Sequence, residues 1–232
     1  MINVLLDFDG VIFKNTKIHK LIEEKSIEYV ANTLNVPKKK AIQISNYNYK
    51  NNGHTTISSI TKHGLNIHDY NEYVFDNMNW NEIKTCFNKN DFENLDIYKR
   101  LYNKYNKYNI NYYLYSNASL SYCVNVLKHL NYDLFDLFEP ETFTSSNCEL
   151  KPLCDSYQHV ENTIHQLNNN KLHFIDDNLI NLQPLQHNVK WTTYLLDEIN
   201  EDTITNIFDT IYDQEAHTSP ENPSKFSKGS LL

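Results

Sequence analysis

The 232-residue sequence predicts an α/β protein: a Rossmann-like, doubly wound parallel sheet with a small helical unit inserted after its first strand. Three observations predict this. Short apolar runs at 2–8, 110–115, 172–175 and 189–196 are bounded by turn or acidic residues, as buried parallel strands are. The later runs alternate with stretches whose apolar residues recur at helical spacing, which implies a parallel sheet with helices on both faces. Finally, roughly 100 residues separate the first run from the second, whereas a direct crossover takes a dozen or so plus its helix. A second unit therefore enters after the first strand.

After strand 2–8, Ile18, Leu21, Ile22, Val30 and Leu34 fall at helical spacing, and Pro37 stops that helix. Segment 46–54 is polar and aromatic and carries Gly53, and 70–75 is again helical. The chain returns to the main unit near Asp91. There Phe92, Leu95, Leu101, Tyr105 and Tyr108 mark an amphipathic helix leading into strand 110–115. Leu120, Val124 and Leu127 mark the next helix, capped by Asn117-Ala118-Ser119. A short strand at 142–144, a helix at 153–167, strand 172–175, a short helix at 181–186, strand 189–196 and a helix at 201–212 complete the unit. The predicted organisation is a core of 1–14 and 91–213, an insertion of 15–90, and a disordered tail of 214–232 rich in Ser, Pro, Glu and Lys.

A hydrophobic fraction of 40% and an aromatic fraction of 13% are enough for a packed core. No apolar run reaches the roughly 18 residues of a membrane span, and the start has none of the features of a secretory leader. The expectation is a soluble cytoplasmic protein, monomeric or homodimeric, with no membrane partner. Cys86, Cys123, Cys148 and Cys154 form no CxxC pair and are expected to be reduced thiols. A net charge of −8 excludes a surface built to coat a nucleic-acid polymer. Arg100 is the single arginine, while Asn, Ile, Tyr and Lys abound. That bias belongs to A/T-rich codons and fits a viral or parasite genome, with the host cytoplasm as the site of action if viral.

Chemistry is concentrated at strand ends. Leu5-Leu6-Asp7-Phe8-Asp9-Gly10 places two carboxylates one residue apart after an apolar run. On a strand both point the same way, into the crevice at the carboxyl end where open α/β sheets bind ligands. Such a pair repels itself unless a cation intervenes, and its all-oxygen character predicts Mg²⁺. Tyr112-Tyr113-Leu114-Tyr115-Ser116-Asn117-Ala118 is a strand ending in a hydroxyl. Glu149-Leu150-Lys151-Pro152 places a lysine before a helix, and Leu172-His173-Phe174-Ile175-Asp176-Asp177-Asn178 again ends a strand in acids.

In order and spacing these four strings resemble the motifs of the haloacid dehalogenase-like (HAD) phosphohydrolases. The resemblance implies that Asp7 attacks phosphorus and forms an aspartyl phosphate, while Asp9 protonates the leaving group and later activates water. It implies that Ser116 and the Asn117 backbone N–H hold phosphate oxygens, and that Lys151 neutralises the phosphoryl group and Asp7. Mg²⁺ would be held by Asp7, the Asp9 carbonyl and Asp177 directly, with Asp176 acting through water or supporting the ligands from behind. An acid at Asp9 is what a phosphate ester needs and a halide leaving group does not. The insertion would be a C1 cap.

Tyr49 to His54, Lys62-His63-Gly64-Leu65 and Tyr70-Asn71-Glu72-Tyr73-Val74 are similar to the cap of the pyrimidine 5′-nucleotidase-like branch. Asn52 stands where that branch has tyrosine, and Gly10-Val11 where it has Asn-Thr. The branch implies a small phosphorylated metabolite, a nucleoside 5′-monophosphate, as substrate. Tyr47, Tyr49, Asn51, Asn52 and His54 would then stack on a base and pair with its edge. A sugar-phosphate mutase or phosphatase shares the four motifs. A non-catalytic HAD-fold interaction module is the third reading, against which stands its lack of any need for clustered acids.

Overall fold

The computed structural model describes residues 2–56, 62–105, 109–167 and 170–218. Four parallel strands, β1 (Ile2–Leu6), β2 (Ile110–Leu114), β3 (Leu172–Asp176) and β4 (Trp191–Leu195), form a sheet in the order β2-β1-β3-β4. Between β1 and β2 lie α1 (Thr16–Thr33), α2 (Lys38–Asn52), α3 (Ile67–Asn71), the one-turn α4 (Trp80–Ile83) and α5 (Lys89–Tyr105). Helices α6 (Leu120–His129) and α7 (Cys154–Leu167) follow β2, the one-turn α8 (Leu179–Leu182) follows β3, and α9 (Glu201–Thr218) follows β4.

Strand β1 is central, with Val4 opposite Tyr112 on one side and His173 on the other. Every one of its residues is buried, which is why its sequence is almost continuously apolar. Side-chain alternation divides the core in two. Leu5, Tyr113, Tyr115 and Phe174 pack with Tyr157, Val160 and Ile164 of α7. Val4, Leu6, Leu114 and Ile175 belong to a larger cluster with Leu95 and Tyr98 of α5, Tyr122 and Val126 of α6, and Phe208 of α9. The sheet is therefore covered on both faces, as predicted.

Several boundaries differ from the sequence expectation. The first strand ends at Leu6, because the Phe8 carbonyl accepts the N–H groups of Ile12 and Phe13, both at 2.9 Å, and turns the chain. Segment 142–144 is not a strand but a single bridge between Tyr115 and Phe143. The helix expected at 181–186 starts at Leu179, because the Asn178 side chain caps the Ile180 N–H at 3.1 Å, and it gives way to a 3₁₀ turn, Gln183–Leu185. Helix α9 runs on to Thr218, so 214–218 of the expected tail are helical; no proline or glycine interrupts the chain before Pro220. Tyr108 and 219–232 lie outside the described residues.

The first and last helices between β1 and β2 are joined by hydrogen bonding. Asn15 caps α1, accepting from the Lys17 and Ile18 N–H groups at 3.1 Å, and donates to the buried Asp91 at 2.7 Å. The start of α1 and the start of α5 thus share one hydrogen bond. Pro37 both ends the approach from α1 and starts α2, a helix hidden in sequence by its polar composition. Segment 70–75 proved to be the end of α3 followed by one π-helical turn, Glu72–Asp76. Further on, Asn71 and Ser145 exchange hydrogen bonds at 3.0 and 3.1 Å, and Ser119 donates to Asp76 at 3.0 Å.

Candidate active site

Asp7 follows β1, Ser116 follows β2, and Asp176 and Asp177 stand at the end of β3, so three adjacent strands deliver them to one edge. Lys151 reaches the same point from the loop before α7 and is completely buried. Its ammonium donates to Asp176 Oδ2 at 2.7 Å and to the Tyr115 carbonyl at 2.9 Å, and lies 3.1 Å from Asp7 Oδ1. Three donors meet three acceptors. Burial pulls the Lys151 ammonium down, but Asp176 and Asp7 more than offset it and hold it above its ordinary value.

The loop after β2 holds Lys151 in place. Asn117 clamps its backbone, accepting its N–H at 2.8 Å and donating to its carbonyl at 2.9 Å. Ser116 is buried; its N–H is bound by the Phe143 carbonyl at 2.8 Å and its Oγ accepts from the Ala118 N–H at 3.2 Å. The bridge at Phe143 thus sets where the Ser116 hydroxyl stands.

The carboxylates divide by environment. Asp176 is saturated: Oδ1 accepts from the Asn178 N–H at 2.8 Å, and the Asn181 amide donates to both oxygens at 3.1 Å. On Asp7, Oδ1 accepts from the Phe8 N–H at 2.7 Å and faces Lys151. Burial pushes Asp7 well above the ordinary carboxylate range despite Lys151, with the charges of Asp176, Asp177 and Asp9 adding to the rise. Asp177 stands at the exposed rim, where desolvation and then the charge of Asp176 push it up to about 6. Gly10 is required here: its φ is +87°, and a Cβ on it would lie 2.0 Å from Asp177 Oδ2.

Asp7, Asp176 and Asp177 can bring oxygens within 4.8 Å of one another, a grouping able to hold a metal ion. The Asp9 carboxylate is outside it, which corrects the expectation that Asp7 and Asp9 form the cation pair. Because the strand ends at Leu6, the two side chains do not share a pleat. Asp9 Oδ1 instead bonds to His19 Nε2 at 2.9 Å and accepts from the Tyr122 hydroxyl at 3.0 Å. Burial lowers His19, but the bond to and charge of Asp9 prevail and raise it. Sequence reading missed both partners. The available signal was His19, Glu23 and Ser26 at helical spacing on α1, three polar residues sharing one face with the apolar Ile22 and Val30.

Two adjoining cavities open on this cluster. The inner one, about 210 Å³, is lined by Asp7, Asp9, Ser116, Asn117 and Asp177 together with Tyr49 and Gly53 of the insertion. The outer one, about 410 Å³, is lined by His19, Glu23, Asn46, Tyr49, His54, Thr55, Tyr70 and Phe75, among others. Gly53 closes α2 with φ +67°, and a Cβ there would lie 3.0 Å from the Asn178 amide, so the end of α2 sits directly against the loop after β3.

Of the residues expected to contact a base, Tyr49 and His54 line the outer cavity, but Asn51 does not. Residues 46–52 belong to α2, and residues two apart on a helix point to opposite sides. Asn46, Tyr49 and Gly53 share the cavity face, whereas Asn51 is exposed and donates to the Tyr47 carbonyl at 2.6 Å. Tyr47 itself lines a separate cleft with Lys40 and Lys62.

His54 is buried, and its Nδ1 accepts from the Thr56 N–H at 3.2 Å, so the neutral ring carries its proton on Nε2. Burial pushes it down to about 4. The unfolded chain, titrating near 6.5, takes up the proton first, so this contribution to stability is complete above about pH 6.5 and is lost as pH falls toward 4. The loss amounts to about 3 kcal/mol at the low end. Urea unfolding at pH 7 and pH 4.5 is expected to show a smaller acid loss in His54→Gln than in the parent. Equal losses would mean the ring is charged in the fold.

No family model matches the sequence, and no curated protein matches it. Solved structures do. A HAD family enzyme from Bacteroides thetaiotaomicron aligns over 90% of this chain and 98% of its own, with a TM-score of 0.52 at 17% identity. The wild-type form of that enzyme, complexed with magnesium and inorganic phosphate, aligns over 87% and 96%, with a TM-score of 0.51 at 17% identity. A predicted HAD-like family hydrolase from Porphyromonas gingivalis aligns over 91% and 98%, with a TM-score of 0.51 at 14% identity. What the chain shares with these proteins is the fold: a parallel α/β sheet with flanking helices.

Proposed function

We propose that this protein is a Mg²⁺-dependent phosphomonoesterase that hydrolyses a small phosphorylated metabolite, a nucleoside 5′-monophosphate, through an aspartyl phosphate on Asp7. The observation that carries the reading is the buried Lys151 held between Asp7 and Asp176, directly behind a cavity lined by Asp7, Asp9, Ser116 and Asp177. The magnesium and phosphate complex of a protein with the same fold supports it. So does the charge balance, because four carboxylates face one lysine and the acids raise one another. A hard cation fits that oxygen set. Asp7, Asp177 and the Asp9 carbonyl would hold it, with Asp176 supporting from behind, since both its oxygens are already engaged. When bound, the ion supplies charge neutralisation for the phosphoryl oxygens.

The chain's own groups divide the remaining work. Asp7 Oδ1 is occupied by the Phe8 N–H and Lys151, which leaves Oδ2 to attack phosphorus. Lys151, the Ser116 hydroxyl and the Asn117 N–H neutralise or bind the equatorial oxygens. Asp9, held through Oδ1 by His19 and Tyr122, presents Oδ2 to give a proton to the departing alkoxide. It then takes a proton from the water that cleaves the aspartyl phosphate, releasing inorganic phosphate and restoring Asp7. In this reading the insertion acts as the cap. Its outer cavity would hold the leaving group, with Tyr49 stacking on a base and Asn46, His54 and Thr55 facing its edge.

A screen of phosphomonoesters with Mg²⁺ and with chelator tests the reaction, and the Tyr49→Ala variant tests the substrate. The expected result is chelator-sensitive hydrolysis of aryl phosphates and nucleoside 5′-monophosphates. Loss of stacking, about 1–3 kcal/mol per base, should raise the Michaelis constant for the nucleotide in Tyr49→Ala and leave that for a small aryl phosphate near the parent's. A parallel rise for both would remove the nucleotide and leave the phosphatase.

A further inference from the structure

The outer cavity carries a charge pattern with a consequence for the leaving group. Among the described residues its lining includes the carboxylates of Asp9 and Glu23 and no lysine or arginine. Neither of its histidines supplies a free cation: His19 is spent on Asp9 at 2.9 Å, and His54 is buried and neutral near pH 7. Lys14 acts on Asp177 and His19 but lines neither cavity.

We infer that the site takes a phosphomonoester whose leaving group bears no second negative charge, and that Glu23 is the residue of the outer cavity that enforces this. The inference rests on the phosphomonoesterase reading and narrows it. In that reading the phosphoryl group occupies the inner cavity, in front of the buried Lys151, so a second anion on the same substrate has to sit in the outer one. There it meets Glu23 across a cavity too small to separate the charges by more than about one Debye length. Diphosphates, bisphosphates and carboxylated esters are disfavoured; neutral or ammonium-bearing leaving groups are accepted. A mutase passing through a bisphosphorylated intermediate would need a cation where this cavity has Glu23.

The test uses the full chain with Mg²⁺ and three phenyl phosphates bearing a para methyl, carboxymethyl or aminomethyl group, whose phenols leave with similar ease. In the parent, kcat/KM for the carboxymethyl ester should be about tenfold or more below that of the methyl ester, with the aminomethyl ester at least equal to methyl. Glu23 is exposed on α1, so Glu23→Gln and Glu23→Lys put little packing at risk. The carboxymethyl-to-methyl ratio should rise in Glu23→Gln and reach or pass unity in Glu23→Lys. Hydrolysis of all three esters within twofold by the parent, or a ratio unmoved in Glu23→Lys, overturns the inference and leaves the phosphatase standing. Hydrolysis of none of them by the parent overturns the phosphatase reading, and the inference with it.

Discussion

Asp7→Asn is expected to lower kcat by about 10³-fold or more while leaving the protein at least as stable as the parent in chelator. The two effects have different origins. Turnover is lost because an amide oxygen is a poor nucleophile and forms no stable acyl phosphate. Stability is kept because burial, with Asp176, Asp177 and Asp9 adding to it, holds Asp7 well above the ordinary carboxylate range. An acid raised in the fold costs stability once pH exceeds its unfolded value near 3.9, so removing the charge at pH 7 relieves a strain. The near-isosteric amide oxygen still accepts from the Phe8 N–H, which stands 2.7 Å from the native Oδ1. Steady-state rates with an aryl phosphate and thermal unfolding in chelator check both halves. Activity within tenfold of the parent would remove Asp7 as the nucleophile.

The parts of this architecture legible in sequence are those carried by short, local strings. An apolar run followed by an acid marks β1 and β3 because burial on both faces and a functional strand end leave the same imprint wherever they occur, and Lys151 was legible through its position before a helix. Where the reading failed, the deciding contacts were long-range or the composition was misleading. Helix α2 has few apolar residues, since only Ala41, Ser45 and Asn48 are buried. Its helical phase, and with it the choice of Asn46 over Asn51 at the cavity, was therefore invisible. The direction of the Asp9 carboxylate depends on Tyr122, 113 residues away. No local pattern encodes that. Asp91 is in sequence only an expected boundary, yet its bond to Asn15 depends on the helices between them bringing two segments 76 residues apart together.

Lys151→Ala is expected to cost about 3–5 kcal/mol of stability as well as turnover, because it leaves Asp7 and Asp176 buried without their counter-charge and the Tyr115 carbonyl without its donor. Lys171→Ala, at an exposed position, is the control and should stay within about 0.5 kcal/mol of the parent. The pH dependence separates charge from packing. With Lys151 gone, Asp7, already raised by burial, titrates still higher in the fold, so the penalty is greatest where the unfolded chain is fully ionised and shrinks as falling pH protonates that carboxyl. Urea unfolding should therefore show a larger deficit at pH 8 than at pH 5. A packing loss alone, from a side chain that also lies over the Tyr115 and Phe174 rings at 5.0 and 5.1 Å, would give the same deficit at both. A pH-independent deficit would mean that Lys151 fills space rather than balances the acids, and the charge argument for its place beside the phosphoryl group would fall.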